Sequence, residues 1–122
     1  MSKFVLIHGS WHPGENWGPV AKRLEQQSHS VVAPTVLGHG LNVDKRVDHA
    51  QQVDDLVAQI VKAGLRDFVL VGHSYGGTII ARLAEEIPDR IRRLVFWNAF
   101  VPEKGHSLND EVPPHYRALF EL

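Results

Sequence analysis

One short stretch of the sequence combines a nucleophile with residues that could expose it. Residues 72–76 are Gly-His-Ser-Tyr-Gly, a G-x-S-x-G pattern with Gly77 directly behind it. A serine hydroxyl becomes a useful nucleophile when a nearby base removes its proton. In a sharp turn, side chains two residues before and after Ser74 would collide, and glycine at both positions removes them. The pattern therefore predicts a serine nucleophile at Ser74.

The segments on either side of this motif predict a strand before it and a helix after it. Residues 68–72 are apolar or small and include Val69 and Val71, as in a strand buried on both faces. After the motif, apolar residues recur at helical spacing at positions 79, 80, 83, 84 and 87. A strand-to-helix turn is the context that a nucleophile elbow requires. The helix N-terminus would then face the serine, and the Tyr75 N–H would lie where an oxyanion could be held.

The bulk composition restricts the class of protein. Of the 122 residues, 43% are hydrophobic and 22% are charged, which is ordinary for a soluble globular domain. The net charge of −1 gives no reason to expect nucleic acid or an anionic membrane as a partner. The absence of cysteine excludes a disulfide scaffold, a thiolate nucleophile and a Cys-type zinc site. His8 and His12 are four apart, but Gly9 and Pro13 prevent a helix that would join them, so we expect no catalytic metal.

No targeting segment is evident. The first apolar run, residues 4–7, is too short for a signal peptide, and no run approaches the length of a membrane span. We therefore expect a cytoplasmic protein that acts on a small molecule.

Along the chain, strand and helix patterns alternate. The strands are predicted at Lys3–Ile7, residues 30–36, residues 68–72 and Ile91–Ala99, and the helices begin at Pro19, at residue 48 and after the elbow. This order predicts an α/β fold, with a mostly parallel sheet and helices on both faces. Ligands of such sheets bind at the carboxyl ends of the strands, where residues 9–11, 38–40 and 74–75 would meet. Residues 1–100 would form the core, and the proline-bearing residues 101–122 would begin a lid.

With these motifs placed, the chain resembles the N-terminal half of an α/β-hydrolase-fold enzyme. It is closest to the group that holds plant methylesterases, hydroxynitrile lyases and bacterial relatives, and the segments that carry the resemblance are FVLIHGSWH, LGHG, VGHSYGG and LVFWNAFVPE. The resemblance implies that Ser74 is the nucleophile and that Ser10 and Tyr75 supply the oxyanion N–H groups. It also implies that Trp11 and Phe100 line an apolar substrate pocket.

The acid and the histidine of the family come later in the chain than the nucleophile. In some members of the family the acid follows the strand that here ends near Asn98. Asn98 is an amide, however, and cannot stabilise an imidazolium as a carboxylate does. Asp110 and His115 have the required order but lie in the lid-like tail, so a self-sufficient minimal domain that uses them is the alternative. We expect the partners beyond Leu122, with the fold incomplete in this chain and completed by a second polypeptide segment. Association into a homo-oligomer stays open.

Three functions fit these observations. The first is a serine hydrolase that cleaves an ester or similar acyl substrate with an apolar part and needs no cofactor. The second is a lyase or cofactor-free dioxygenase on the same fold, because a fold does not decide between these chemistries. The third is a non-catalytic binding module with a degenerate site.

Overall fold

The chain folds as an alternation of parallel strands and helices. A computed structural model describes residues 1–10, 12–39 and 46–99. The strands of the described part are β1 (Lys3–Ile7), β2 (Ser30–Val32), β3 (Phe68–Ser74) and β4 (Ile91–Ala99). The α-helices are α1 (Gly18–Gln26), α2 (His49–Lys62) and α3 (Gly76–Glu86), and short 3₁₀ helices occupy Gly14–Trp17 and Pro88–Arg90.

The four strands form one parallel sheet in the order β2-β1-β3-β4. The register between the two inner strands places Lys3 beside Phe68 and Ile7 beside Gly72. The predicted alternation and the parallel sheet are therefore confirmed. Because β1 and β3 are the inner strands, their carboxyl ends lie side by side.

Side chains from the two faces of the sheet enter two separate cores. On one face, residues from β1 and β3 pack against α2 and α3, and the buried members of this core are Val5, Ile7, Val36, Val53, Leu56, Ile60, Phe68, Leu70, Ile79, Ile80 and Leu83. On the other face, Leu6 and Val71 pack with Trp17 and with the partly buried Val20 and Leu24 of α1. Consecutive strand residues thus point to opposite faces, and helices cover both sides as predicted.

The longest helix begins and ends where local chemistry requires. The Asp48 carboxylate accepts from the Gln51 N–H, and the Gln51 side chain accepts from the Asp48 N–H, each at 2.8 Å. This reciprocal capping box satisfies two backbone donors at the start of α2. Gly64 follows the helix with φ of +67°, the left-handed conformation that glycine adopts without steric cost.

The second strand is shorter than the predicted residues 30–36, since it ends at Val32. Pro34 has no N–H to donate to a strand ladder and restricts the residue before it. The chain instead turns toward the loop after β1. The Gly14 N–H donates to Thr35 Oγ1 at 2.9 Å, and the Val36 N–H donates to His8 Nε2 at 2.8 Å.

The β4 strand lies at one edge of the sheet in the described part of the chain. On the face that carries α1, its Val95 and Trp97 side chains are 38% and 48% exposed. None of the helices in the described ranges is both long and apolar enough to cross a membrane.

The close approach of Gly14 to the segment after β2 leads to a prediction about stability. A Cβ at this position would overlap the Ala33 carbonyl oxygen and lie 2.9 Å from the Pro34 carbonyl. We expect Gly14→Ala to lower the free energy of unfolding by about 1–3 kcal/mol, as overpacking does. Chemical denaturation measures it. The exposed neighbour Glu15 gives the control, because Glu15→Ala should change stability by less than about 0.5 kcal/mol. Equal effects of the two substitutions would contradict this packing.

Candidate active site

The predicted nucleophile lies at a turn between β3 and α3. Ser74 is the last residue of β3, so the strand is two residues longer than predicted, and Tyr75 is the N-cap of α3. The φ angle of Ser74 is 55°, in the left-handed region that residues with a side chain rarely occupy. Such strain persists only where surrounding structure fixes it, and it is common at functional sites.

Two glycines of the motif make this turn sterically possible. A Cβ on Gly72 would lie 2.6 Å from the Gly76 carbonyl oxygen, and a Cβ on Gly76 would lie 2.6 Å from the Ile7 carbonyl oxygen. Both contacts are with backbone, which cannot swing aside as a flexible side chain can. The first contact closes the turn on itself, and the second lets the start of α3 pack against the end of β1.

The loop after β1 reaches the same turn. A Cβ on Gly9 would lie 3.0 Å from the Ser74 Cβ and 3.3 Å from the His73 carbonyl oxygen. The backbone at Gly9 therefore lies against the serine, and the next residue is the partly exposed Ser10. The structure thus brings together the two loops that hold Ser10, Ser74 and Tyr75.

A bulge in β4 adjoins the serine. His73 pairs with Trp97 and Ser74 pairs with Ala99, so Asn98 has no opposite residue on β3. Asn98 has φ of 44°. Bulges redirect strands and are frequent beside active sites.

The His8 imidazole is a structural link between two loops. The side chain is 2% exposed, and its Nε2 accepts from the Val36 N–H at 2.8 Å. Its Nδ1 lies 2.8 Å from the Gly9 carbonyl oxygen and must therefore carry the proton. Burial lowers the pKa of His8 to about 4, and the nearby His39 and His12 add to this effect. At neutral pH both ring nitrogens of the neutral imidazole are engaged, so neither can take the serine proton.

The Tyr75 side chain lies on the side of the sheet that carries α2. Its hydroxyl donates to Gln52 Oε1 at 2.6 Å. Its ring stacks on His39 with a centroid distance of 6.4 Å and meets the edge of His49 at 6.1 Å. Burial raises the pKa of Tyr75 to about 12 and lowers the pKa of His49. His39 therefore contacts the side chain that follows the nucleophile.

A cavity of about 320 Å³ opens on the other side, between α1 and the ends of β3 and β4. Its lining is rich in aromatic rings and comprises His8, Gly9, His12, Asn16, Trp17, Val20, His73, Trp97 and Asn98. The Trp17 ring lies 5.7 Å from Trp97 and 6.3 Å from His73, centroid to centroid. The cavity adjoins the turn through two of its lining residues. Gly9 lies against Ser74 in space, and His73 precedes Ser74 in the sequence.

Comparisons with known proteins identify the family of this chain. Residues 4–121 match the alpha/beta hydrolase family. The chain belongs to this family. Its relatives include a carbendazim-hydrolyzing esterase of Nocardioides sp. strain SG-4G, 39% identical over 98% of this chain and 52% of the relative. An alpha-hydroxynitrile lyase of Arabidopsis thaliana is 31% identical over 92% of this chain and 43% of its own length, and methylesterases of the same plant also match.

A solved α/β-hydrolase confirms the predicted fold class. It is an extracellular enzyme of a Paenibacillus species that shares structural and functional homology with tobacco salicylic acid-binding protein 2. It superposes on this chain with a TM-score of 0.93 at 40% sequence identity. The match covers 99% of this chain and 50% of the Paenibacillus chain. The chain therefore spans about half the length of the α/β-hydrolases that it matches.

Several predicted site residues lie outside the described residues. They are the two pocket residues Trp11 and Phe100 and the alternative catalytic pair Asp110 and His115. The predicted lid, residues 101–122, lies there too.

Sequence reasoning missed the part that Gln52 plays. The signal was present, because Gln52 precedes Val53 and is four residues before Leu56, on the buried face of α2. A polar side chain there needs a hydrogen-bond partner.

The buried, neutral state of His8 predicts how stability depends on pH. The pKa of His8 is about 4 in the folded protein and about 6.5 in the unfolded chain, so the unfolded chain binds more protons between these values. Stability should be full above about pH 6.5 and fall by about 3 kcal/mol as the pH drops to 4. Urea denaturation at several pH values measures it.

The control is His8→Gln, which keeps an acceptor for the Val36 N–H and does not titrate. Its stability should fall less over this range, with the remaining slope due to groups such as His49. Identical pH profiles for the two proteins would contradict a buried neutral His8.

Proposed function

We propose that the protein hydrolyses an ester or similar acyl compound, with Ser74 as the nucleophile. The observation that carries this proposal is the position of Ser74, at φ 55° on the turn between β3 and α3 with the Gly9 backbone against it. A nucleophile elbow likewise places its serine on a sharp, strained turn between a strand and a helix, and this likeness supports the proposal. The esterase relatives support the same chemistry.

The reaction that we propose proceeds in two acyl transfers. Ser74 Oγ forms a bond to the acyl carbon while a histidine takes its proton, and the carbonyl oxygen becomes an oxyanion. The N–H groups of Ser10 and Tyr75 hold that oxyanion. The intermediate collapses with cleavage of the bond to the alkoxy oxygen, which receives the proton from the histidine. Water then releases the acid by the reverse sequence of proton transfers.

The histidine and its carboxylate partner come, in this proposal, from a second polypeptide segment. The engaged ring nitrogens of His8 support this, because they exclude as the base the imidazole that precedes Gly9 in the loop against Ser74. Two further observations agree with it. The chain spans about half the length of its relatives, and Trp97 is 48% exposed on an edge strand of the described sheet.

The substrate that we propose has an apolar part beside the scissile ester. The cavity next to the turn has the Trp17, His73 and Trp97 rings in its wall, and these favour a planar apolar group. Its volume of about 320 Å³ is in the range of small-molecule sites. No cofactor is required for this reaction.

A lyase is the second candidate, because one relative is an alpha-hydroxynitrile lyase. In such a reaction Ser74 would relay a proton and form no bond to substrate carbon. A covalent acyl-Ser74 species, trapped at low pH and identified by mass spectrometry, favours hydrolysis. Turnover of a cyanohydrin without such a species favours the lyase.

Substitution of the nucleophile gives the main prediction of this proposal. We expect Ser74→Ala to lower kcat for ester hydrolysis at least about a thousandfold, because no other group forms the acyl bond. The matched control is Ser10→Ala, which removes a hydroxyl but keeps the backbone N–H. We expect it to retain kcat within about threefold, since the oxyanion donor is retained. Near-normal turnover by Ser74→Ala would remove the chemistry from this residue.

The proposed second polypeptide segment leads to a prediction about the mass of the active protein. The active protein should contain polypeptide beyond the 13.7 kDa chain, either as one longer species or as a second fragment. Native mass spectrometry of the active fraction measures this directly. A monomer of 13.7 kDa that hydrolyses a simple ester would contradict the proposal and favour a self-sufficient domain.

A further inference from the structure

A partly buried hydrogen bond ties the residue after the nucleophile to a different helix. Tyr75 and Gln52 are 23 residues apart, and the Tyr75 hydroxyl lies 2.6 Å from Gln52 Oε1. Gln52 is 6% exposed and lies on the buried face of α2. The bond therefore joins the N-cap of α3 to a buried side chain of α2.

The hydrogen bond of the Gln52 amide nitrogen shows which of Tyr75 and Gln52 is the donor in the bond between them. Gln52 Nε2 donates to the Leu37 carbonyl oxygen at 3.0 Å, and a carbonyl oxygen can only accept. Oε1 is therefore the atom that faces Tyr75, and the phenol must donate. One glutamine thus holds both the elbow and the segment after β2.

The ring of Tyr75 is restrained as well. His39 stacks on it with an interplanar angle of 25°, and His49 meets it at 82°. On its own backbone, the Tyr75 carbonyl oxygen accepts from the Thr78 N–H at 2.9 Å and from Thr78 Oγ1 at 2.7 Å. The C-terminal side of Tyr75 is thus held by α3, and its side chain is held by α2. A rotation of the peptide group between Ser74 and Tyr75 would turn the Tyr75 N–H and would strain these contacts of Tyr75.

We propose that Gln52 is a positioning residue for the oxyanion donor, because its hydrogen bond to the Tyr75 hydroxyl fixes the direction of the Tyr75 N–H. This inference rests on the proposed function, in which that N–H holds the oxyanion. Gln52 itself touches no reacting atom. Its loss acts through Tyr75 and lowers stabilisation of the oxyanion while ground-state binding stays the same.

The test uses two substitutions that each remove this hydrogen bond with little change of shape, Tyr75→Phe and Gln52→Met. Each should lower kcat about tenfold with KM within about twofold, less than the 10²–10³ lost when an oxyanion donor is removed entirely. The double variant should lower kcat no further than Gln52→Met alone, because Gln52→Met already removes the bond to Tyr75 together with the bond to the Leu37 carbonyl.

Inhibitor affinity separates positioning from a purely structural effect. Ser74 Oγ can add to the carbonyl carbon of a trifluoromethyl ketone, and the ketone oxygen then becomes an oxyanion in the proposed oxyanion hole. The corresponding secondary alcohol has no carbonyl group and cannot react in this way. In both variants the Ki of the ketone should rise about tenfold, in step with the loss of kcat/KM, and the Ki of the alcohol should stay within about twofold.

A control variant measures the effect of lost stability alone. Arg90→Met removes a distant side-chain bond, from the guanidinium to the Leu65 carbonyl at 3.0 Å, and should leave both Ki values unchanged. Thermal melts identify the variants that are folded.

Two results would count against the proposals, and they differ. If the wild-type protein binds ketone and alcohol equally, the proposed function fails and this inference fails with it. If the wild-type protein prefers the ketone and folded Tyr75→Phe and Gln52→Met keep the same Ki values, the proposed function stands and the positioning role of Gln52 is wrong.

Discussion

The close approach of the α3 N-terminus to the end of β1 is the constraint on which the site depends. It requires glycine at position 76, where a Cβ would lie 2.6 Å from the Ile7 carbonyl oxygen, and it accompanies a φ of 55° at Ser74. A left-handed residue costs about 1–2 kcal/mol. The helix that follows buries Ile79, Ile80 and Leu83 completely, and each such side chain contributes about 1.5–3 kcal/mol. Burial of one face of α3 therefore exceeds the strain at the serine.

The groups around this turn are held by neutral hydrogen bonds. His8 joins the loop after β1 to Val36, and Gln52 joins Tyr75 to Leu37, so the segment after β2 supports both sides of the turn. Burial lowers the pKa of His8 and raises that of Tyr75. Both groups therefore stay uncharged at neutral pH. Neither of these two side chains therefore puts a full charge beside the serine.

The strands and helices could be predicted because each depends on the spacing of apolar residues within one short segment of the sequence. Residues that alternate or recur every three to four positions identified the strands and helices, and the glycines around Ser74 predicted the turn. Contacts between distant segments were not predictable in this way. Beyond Pro34, which ends β2, Thr35 and Val36 bond to residues more than twenty positions away, and the Gln52–Tyr75 bond joins two helices. Such pairings depend on the packed sheet, and a single sequence carries only the weak signal of a polar residue on an apolar face.

The structure of the protein after reaction with a fluorophosphonate ester tests the central claim most directly. If Ser74 is the nucleophile and the two loops form the oxyanion hole, phosphorus is bonded to Ser74 Oγ. The phosphoryl oxygen then lies about 2.7–3.1 Å from the N–H nitrogens of both Ser10 and Tyr75. Phosphorus on another residue, or a phosphoryl oxygen directed away from both donors, would contradict the account.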